Sequence, residues 1–264
     1  MSIQIDTQKY VNHLNEARKK IKGTQPVTSL RPDLSIDEAY AIQLDTMKEF
    51  ENKSEYITGK KIGLTSKSMQ DMLGVNEPDY GHLLNSMKVE KGESIPVEKV
   101  LQPKVEGEIA FILKEDLQGP NVTVFDVLQA TDYIVPSIEI VDSRIKDWEI
   151  TLADTIADNA SSGLYLLGNK PFDISDIDLK QTGMALFKNG VLQNTGVGAA
   201  ALGDPAKCVA WLANKLSDYN IKLKAEEVIL SGALSAAVSA NPGDEFTVKF
   251  DRLGELALKF EYSQ

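Results

Sequence analysis

Over residues 4–22 the apolar positions Tyr10, Leu14, Ala17 and Ile21, with Val11 beside them, recur at helical spacing between Lys, Arg and Glu, which predicts an amphipathic helix. Ser35 with Glu38 three positions on is a capping-box pattern ahead of Tyr40, Leu44 and Met47, so a second helix is expected to run to about Asn52. Residues 56–64 then read as a strand with glycine breaks, and Ser66 as the start of a short helix carrying Met69, Met72 and Leu73 that Gly74 ends. Residues 74–81 read as a loop by composition. From about residue 95 the pattern changes to short strands with intervening helices. Thr123 with Asp126 predicts a helix to about Asp132, and Asp204 followed by Pro205 predicts another, with Val209, Leu212, Ala213 and Leu216 on its core face. Asn189-Gly190 marks a hairpin, and Phe246, Val248, Phe250 and then Leu256, Leu258, Phe260 alternate as two strands around a turn at residues 251–254. The elements predict an α+β chain, with no βαβ rhythm, internal repeat or low-complexity linker.

Against that pattern the run from Pro103 to Leu113 stands out. It is an apolar strand in which Glu106, Glu108 and Ala110 share one face, while Val105, Gly107, Ile109 and Phe111 share the other. A solvated strand face would also carry such acids. A second apolar strand, residues 133–141, has the single acid Glu139 in its middle, where a solvated face would show several polar residues. Parallel carboxylates on buried strands repel unless a cation sits between them, one is protonated or the face is wet. Three of them suit a hard divalent ion such as Mg²⁺ or Mn²⁺.

At 264 residues and 42% hydrophobic content the chain can bury a substantial core. A formal net charge of −11 with no Lys/Arg run argues against nucleic acid. The single cysteine, Cys208, excludes an intrachain disulfide and a Cys-based zinc site, and reads as a small apolar helix residue. The two histidines, His13 and His82, are too few for a His-rich metal site. The N-terminus lacks an apolar signal core, and no long apolar span predicts membrane insertion, so a cytoplasmic protein is the expectation. Phosphate-loop, GxGxxG, GxSxG and HExxH patterns are missing.

Other residues offer chemistry. Lys60 and Lys61 must face opposite ways on their strand: Lys60 is expected in solvent, and Lys61 beside the acids as a cation or proton donor. Asp79 is a turn former or a catalytic acid with equal claim. Asp154 and Asp158, four apart on one helix, would repel, so at least one should have a specific partner. Asp142 and Arg144 are expected to make a structural ion pair or cap.

Together, Gly59-Lys-Lys-Ile-Gly-Leu-Thr-Ser66, Leu73-Gly-Val-Asn-Glu-Pro-Asp-Tyr-Gly81, Val105-Glu-Gly-Glu-Ile-Ala110, Ile138-Glu-Ile-Val-Asp-Ser-Arg144 and Ala157-Asp-Asn-Ala-Ser161 resemble the 2-keto-4-pentenoate (2-hydroxypenta-2,4-dienoate) hydratases and 4-oxalocrotonate decarboxylases, a branch of the fumarylacetoacetate hydrolase superfamily. The resemblance covers nearly the whole chain. It implies a mixed β-sheet roll over residues 81–264 with a smaller, largely helical N-terminal α/β region over residues 1–80. It implies Mg²⁺ or Mn²⁺ held by Glu106, Glu108 and Glu139, with Lys61 and Asp79 catalytic and Asp158 and Ser161 as substrate-pocket groups. It also implies a homo-oligomer, or a complex with a paralogous decarboxylase or hydratase. Asp79 favours the hydratase, because the family's decarboxylases carry an uncharged residue there; Ser231–Val238 and Asn241–Asp244 look closer to the decarboxylase pattern. The alternatives are therefore 4-oxalocrotonate decarboxylase and a non-catalytic partner subunit of a hydratase–decarboxylase complex. Cleavage of an acylpyruvate would ordinarily want a His–Glu pair, which neither His13 nor His82 suggests.

Overall fold

In the computed structural model, which describes residues 5–262 and leaves the side chains of Ser68, Met72 and Leu73 undescribed, the chain opens with three helices: α1 (Thr7–Lys20), α2 (Val27–Leu30) and α3 (Ile36–Glu51). The predicted stripe of α1 is buried at Tyr10, Val11, Leu14 and Ala17; position 4 and the Met72 and Leu73 side chains lie outside the described set. The capping box before α3 forms: Ser35 Oγ accepts from Glu38 N at 3.2 Å, and Ser35 N donates to Glu38 Oε2 at 3.0 Å. Then come β1 (Ile57–Gly63), α4 (Lys67–Leu73), β2 (Asp79–Leu84), β3 (Lys88–Val89), β4 (Ser94–Pro96) and the long β5 (Lys104–Leu113). They are followed by α5 (Val124–Ala130), β6 (Thr131–Val141), α6 (Leu152–Ala157), β7 (Ser162–Leu167), β8 (Gly183–Lys188) and β9 (Val191–Val197). The chain closes with α7 (Pro205–Ser217), β10 (Val228–Leu230), β11 (Val238–Ser239), β12 (Glu245–Phe250) and β13 (Gly254–Glu261).

Two mixed sheets result, in keeping with the α+β expectation. The eight-stranded sheet has the order β2-β1-β10-β5-β6-β7-β3, with β11 added beside β5; the five-stranded sheet has the order β4-β13-β12-β8-β9. β1 and β10 run parallel, as do β3 and β7 and β13 and β4, while β5 pairs antiparallel with β6 and β10. Apolar alternation explains how the sheets pack. Val105, Ile109 and Phe111 of β5 and Ile138 and Ile140 of β6 are fully buried in one core with Phe246, Val248 and Phe260 of the second sheet. The other face of β5 and β6 carries the acids, beside a smaller apolar cluster of Ala110, Val135, Tyr165, Leu230 and Leu83. α7 buries Val209, Leu212, Ala213 and Leu216 as its pattern predicts, along with Cys208, whose thiol burial pushes up.

Two differences from the sequence reading matter for the site. The segment read as a loop ends in a strand: Asp79 starts β2 and is hydrogen-bonded in register with Gly63 of β1. Residues 80 and 81 both lie within β2, and β1 and β2 extend the sheet that carries the acids. Among the described residues, no helix is long and apolar enough to cross a membrane.

Candidate active site

The antiparallel register of β5 and β6 sets Glu106 directly opposite Glu139, and Glu108 opposite Ser137. Alternation then gathers the three acids on one face, because their neighbours Val105, Gly107 and Ile109 fill the space between the sheets. One carboxylate oxygen from each of Glu106, Glu108 and Glu139 lies within 4.8 Å of the other two. Glu108 and Glu139 are buried, and Glu106 is half-buried in a cavity wall. Gly232 N donates to Glu108 Oε2 at 2.9 Å, but Glu108 Oε1 and Glu139 Oε2 have no hydrogen-bond partner, and Glu139 Oε1 has only the ion pair with Lys61 at 3.3 Å. Burial pushes the Glu106 carboxyl up to about 8, with Glu139 adding to the rise. Burial, Glu139 and Glu106 raise Glu108 well above the ordinary range, and burial raises Glu139 against the pull of Lys61. Unpartnered buried carboxylate oxygens are costly. An all-oxygen donor set of this kind fits a hard divalent cation, which would supply the missing partners.

Lys61 projects from β1 toward this cluster. Its Nζ lies 3.3 Å from Glu139 Oε1 and donates to the Ala160 carbonyl at 3.0 Å. Burial opposes its charge, yet Glu139, Asp79, Glu106 and Glu108 together raise its pKa above the ordinary value. Asp79 stands at the start of β2. Its Oδ2 accepts a hydrogen bond from the Thr155 hydroxyl of α6, and its Oδ1 is buried without a partner. Gly63 has no room for a side chain: a Cβ there would come within 2.2 Å of Asp79 Oδ1 and 3.0 Å of Lys61 Nζ. Lys61, Asp79, Glu106, Thr155 and Ser161 line one cavity of about 160 Å³.

The segment after α6 delivers the Ala160 carbonyl. Asn159, Ala160 and Ser161 are consecutive left-handed residues, with φ of 54°, 50° and 51°. Each non-glycine residue held there costs roughly 1–2 kcal/mol, so the turn needs restraint from its surroundings. Asn159 supplies part of it: His82 N donates to its Oδ1 at 2.7 Å, and its Nδ2 donates to the His82 carbonyl at 2.9 Å. Arg144 supplies the rest, donating to the Asp158 carboxylate and carbonyl and to the Ser162 carbonyl.

Several expectations change here. Arg144 pairs with Asp158, not Asp142; the Asp142 carboxylate instead accepts from the backbone of Leu101 and Gln102, at 2.9 and 2.7 Å. Asp158 is therefore engaged in the turn and is absent from the cavity lining, whereas Ser161 lines the cavity. Both acids expected to repel have partners, Asp154 accepting from Thr28 N at 2.8 Å and Thr151 N at 3.0 Å. Lys60 is not solvated. It is buried and donates to both oxygens of Glu227, at 2.7 and 2.6 Å. His82 is buried with Nδ1 2.9 Å from Gln43 Oε1, and burial, with Lys60 nearby, drives its pKa down to about 3. The roles of Thr155, the Ala160 carbonyl and Gly232 N carry no signal in a single sequence, since each depends on which segments the fold brings together.

Three comparisons bear on this arrangement. Residues 61–261 match the fumarylacetoacetate (FAA) hydrolase C-terminal family. The chain is 49% identical over 211 residues, 80% of its length and 95% of the relative's, to a 2-hydroxypent-2,4-dienoate hydratase of Pseudomonas putida. It is 45% identical to a 2-hydroxyhexa-2,4-dienoate hydratase of Comamonas testosteroni, over 94% of both chains. Among solved structures, a 4-oxalocrotonate decarboxylase from Pseudomonas putida G7, complexed with magnesium and adipate, superposes with a TM-score of 0.94 at 33% identity, covering 96% of this chain and 97% of that one.

Proposed function

Because the chain belongs to the fumarylacetoacetate hydrolase family, we infer that it is a divalent-metal-dependent hydro-lyase that adds water to 2-hydroxypenta-2,4-dienoate (2-keto-4-pentenoate) to give 4-hydroxy-2-oxopentanoate, in the meta-cleavage catabolism of aromatic compounds. The observation that carries this reading is the juxtaposition of the Glu106/Glu108/Glu139 cluster with a buried lysine and an aspartate whose Oδ1 is free, Glu106, Lys61 and Asp79 lining one cavity. Glu106, Glu108 and Glu139 would hold a divalent ion, Mg²⁺ or Mn²⁺. Bound there, it would supply Lewis acidity to the negative charge that develops on the substrate.

The remaining chemistry falls to this chain's side chains. Lys61, kept protonated by the surrounding acids, faces the developing dienolate and delivers a proton along its chain, giving the α,β-unsaturated ketone. Asp79 Oδ1 takes the proton of the water that adds to the carbon β to that ketone and returns it to C3 of the resulting enolate, which gives 4-hydroxy-2-oxopentanoate, with Oδ2 fixed by Thr155. Ser161 contributes a hydroxyl to the pocket; Asp158 acts at one remove, through the turn that carries Ser161 and the Ala160 carbonyl.

A decarboxylase reading has in its favour the close superposition on the Pseudomonas enzyme and the sequence pattern of Ser231–Val238 and Asn241–Asp244. Asp79 counts against it, since a buried acid there would repel the second carboxylate of a diacid. A paired assay separates them: metal-dependent loss of 2-hydroxypenta-2,4-dienoate against CO₂ release from 2-oxohex-3-enedioate. Hydration of the monoacid that weakens in Asp79→Asn is expected. CO₂ release without hydration would make the protein a decarboxylase, and silence in both would make it a partner subunit.

A further inference from the structure

Lys104 occupies the acids' face of β5, two positions before Glu106. Its ammonium lies 4.1 Å from the centre of the Trp148 ring. Unlike Lys60 and Lys61, the half-buried Lys104 side chain makes no ion pair or hydrogen bond among the described residues; it feels the charge of Glu106 only at longer range. Trp148 is itself held with some effort. Asp147 and Trp148 are consecutive left-handed residues, with φ of 56° and 57°, and the indole Nε1 donates to the Gln102 carbonyl at 3.2 Å. A bulky residue at positive φ is a strained position that its surroundings must enforce. Here they enforce an indole face turned to the lysine.

The pair stands between two spaces. Lys104 and Trp148 line the site cavity of about 160 Å³ and also a larger adjoining cavity of about 520 Å³. The other charged residue lining the larger cavity, Asp147, is exposed and lies 3.5 Å from Lys146. A carboxylate entering from that side therefore meets Glu106 and Asp79 on the lining of the site cavity and, beside them, one cation with no hydrogen bond or ion pair of its own. Lys61 cannot serve it in the same way, being already engaged by Glu139 and Ala160.

We propose that Lys104, stacked on Trp148, is a substrate-binding residue that pairs with the substrate's C1 carboxylate at the boundary between the two cavities. The assignment of that carboxylate to C1 rests on the hydratase reading; the subsite itself is an anion site for a short 2-oxo or 2-hydroxy acid. Lys104 offsets the repulsion between the incoming anion and the acids, and the indole face keeps the ammonium from collapsing onto Glu106.

The test uses the full chain with Mg²⁺. Lys104→Met keeps the aliphatic stem on the indole and removes the charge; Lys104→Arg keeps the charge. With 2-hydroxypenta-2,4-dienoate, Lys104→Met is expected to raise KM about 10- to 100-fold with little change in kcat, the scale of one charge-assisted hydrogen bond, and Lys104→Arg to restore most of it. Binding without turnover is read by calorimetry with 2-oxopentanoate, expected to weaken by a similar factor in Lys104→Met, and with the neutral 2-oxopentanamide, expected not to. Equal binding of 2-oxopentanoate by wild type and Lys104→Met would overturn the proposal. So would tighter Mg²⁺ binding in Lys104→Met with KM unchanged, because Lys104 would then only balance the charge of Glu106. If wild type does not hydrate the dienoate, the hydratase reading fails, while the calorimetric comparison still decides whether the subsite exists.

Discussion

Lys60 and Lys61 leave opposite faces of the same strand, are both buried, and meet opposite electrical surroundings. On one face Lys60 and Glu227 close a complete pair: both carboxylate oxygens accept from Nζ, and Glu227 also accepts from Lys224 N at 2.9 Å. On the other, Lys61 faces Glu139, Glu106, Glu108 and Asp79, an excess of negative charge with unpartnered oxygens left over. The difference separates a structural ion pair from a site. A buried pair whose donors and acceptors are all used has nothing left to offer a ligand, whereas a cluster with surplus acceptors is stable only when something else binds it.

The comparison can be broken most sharply at the acids. Glu139→Gln is expected to lower metal affinity and cut activity about 10³-fold or more, since several kcal/mol of Lewis-acid stabilisation go with the ion. Calorimetric titration with Mg²⁺ or Mn²⁺ alongside turnover checks this, and full activity with normal metal binding would remove Glu139 from the site. Next in size, Lys61→Met and Asp79→Asn should each lower kcat by roughly 10²–10⁴-fold while the protein still binds metal.

The other face of β1 should behave in the opposite way. Lys60→Met leaves Glu227 buried and unpaired, so unfolding free energy should fall by about 3–5 kcal/mol while kcat of the folded enzyme holds; denaturant titration and steady-state kinetics read the two separately. Replacing both partners, Lys60→Met with Glu227→Leu, should recover most of that loss. A large drop in kcat in the double variant would mean that this face also serves the site.

The smallest effect is a pH dependence. In protein stripped of metal, the folded pKa of Glu106 is raised to about 8 from an ordinary 4.5. Between those values the folded state holds a proton that the unfolded chain has released, so stability should decline as pH rises through that window. Thermal unfolding should show Tm falling over that range, less steeply in Glu106→Gln and hardly at all with saturating Mg²⁺. A rising Tm in stripped protein would contradict the raised pKa.

Much of this was legible in one dimension. Period-two alternation in two apolar strands was enough to place Glu106 and Glu108 on one face and to single out Glu139, because side-chain direction in a strand is a local property. The same rule separated Lys60 from Lys61. It could not say that the face given to Lys60 is buried, because its partner Glu227 is 167 positions away. Nor could it pair Arg144 with Asp158 rather than with the nearer Asp142, a choice made by the left-handed turn after α6.

The sequence by itself therefore determined the elements, the faces of its strands and the carboxylate chemistry, all of which follow from short-range spacing. Only the tertiary structure decided the strand register that sets Glu106 against Glu139, the closeness of Gly63 to Asp79, and the Ala160 carbonyl offered to Lys61. Those depend on contacts between distant segments, where packing and hydrogen-bond satisfaction across the whole fold, rather than local propensity, select the arrangement.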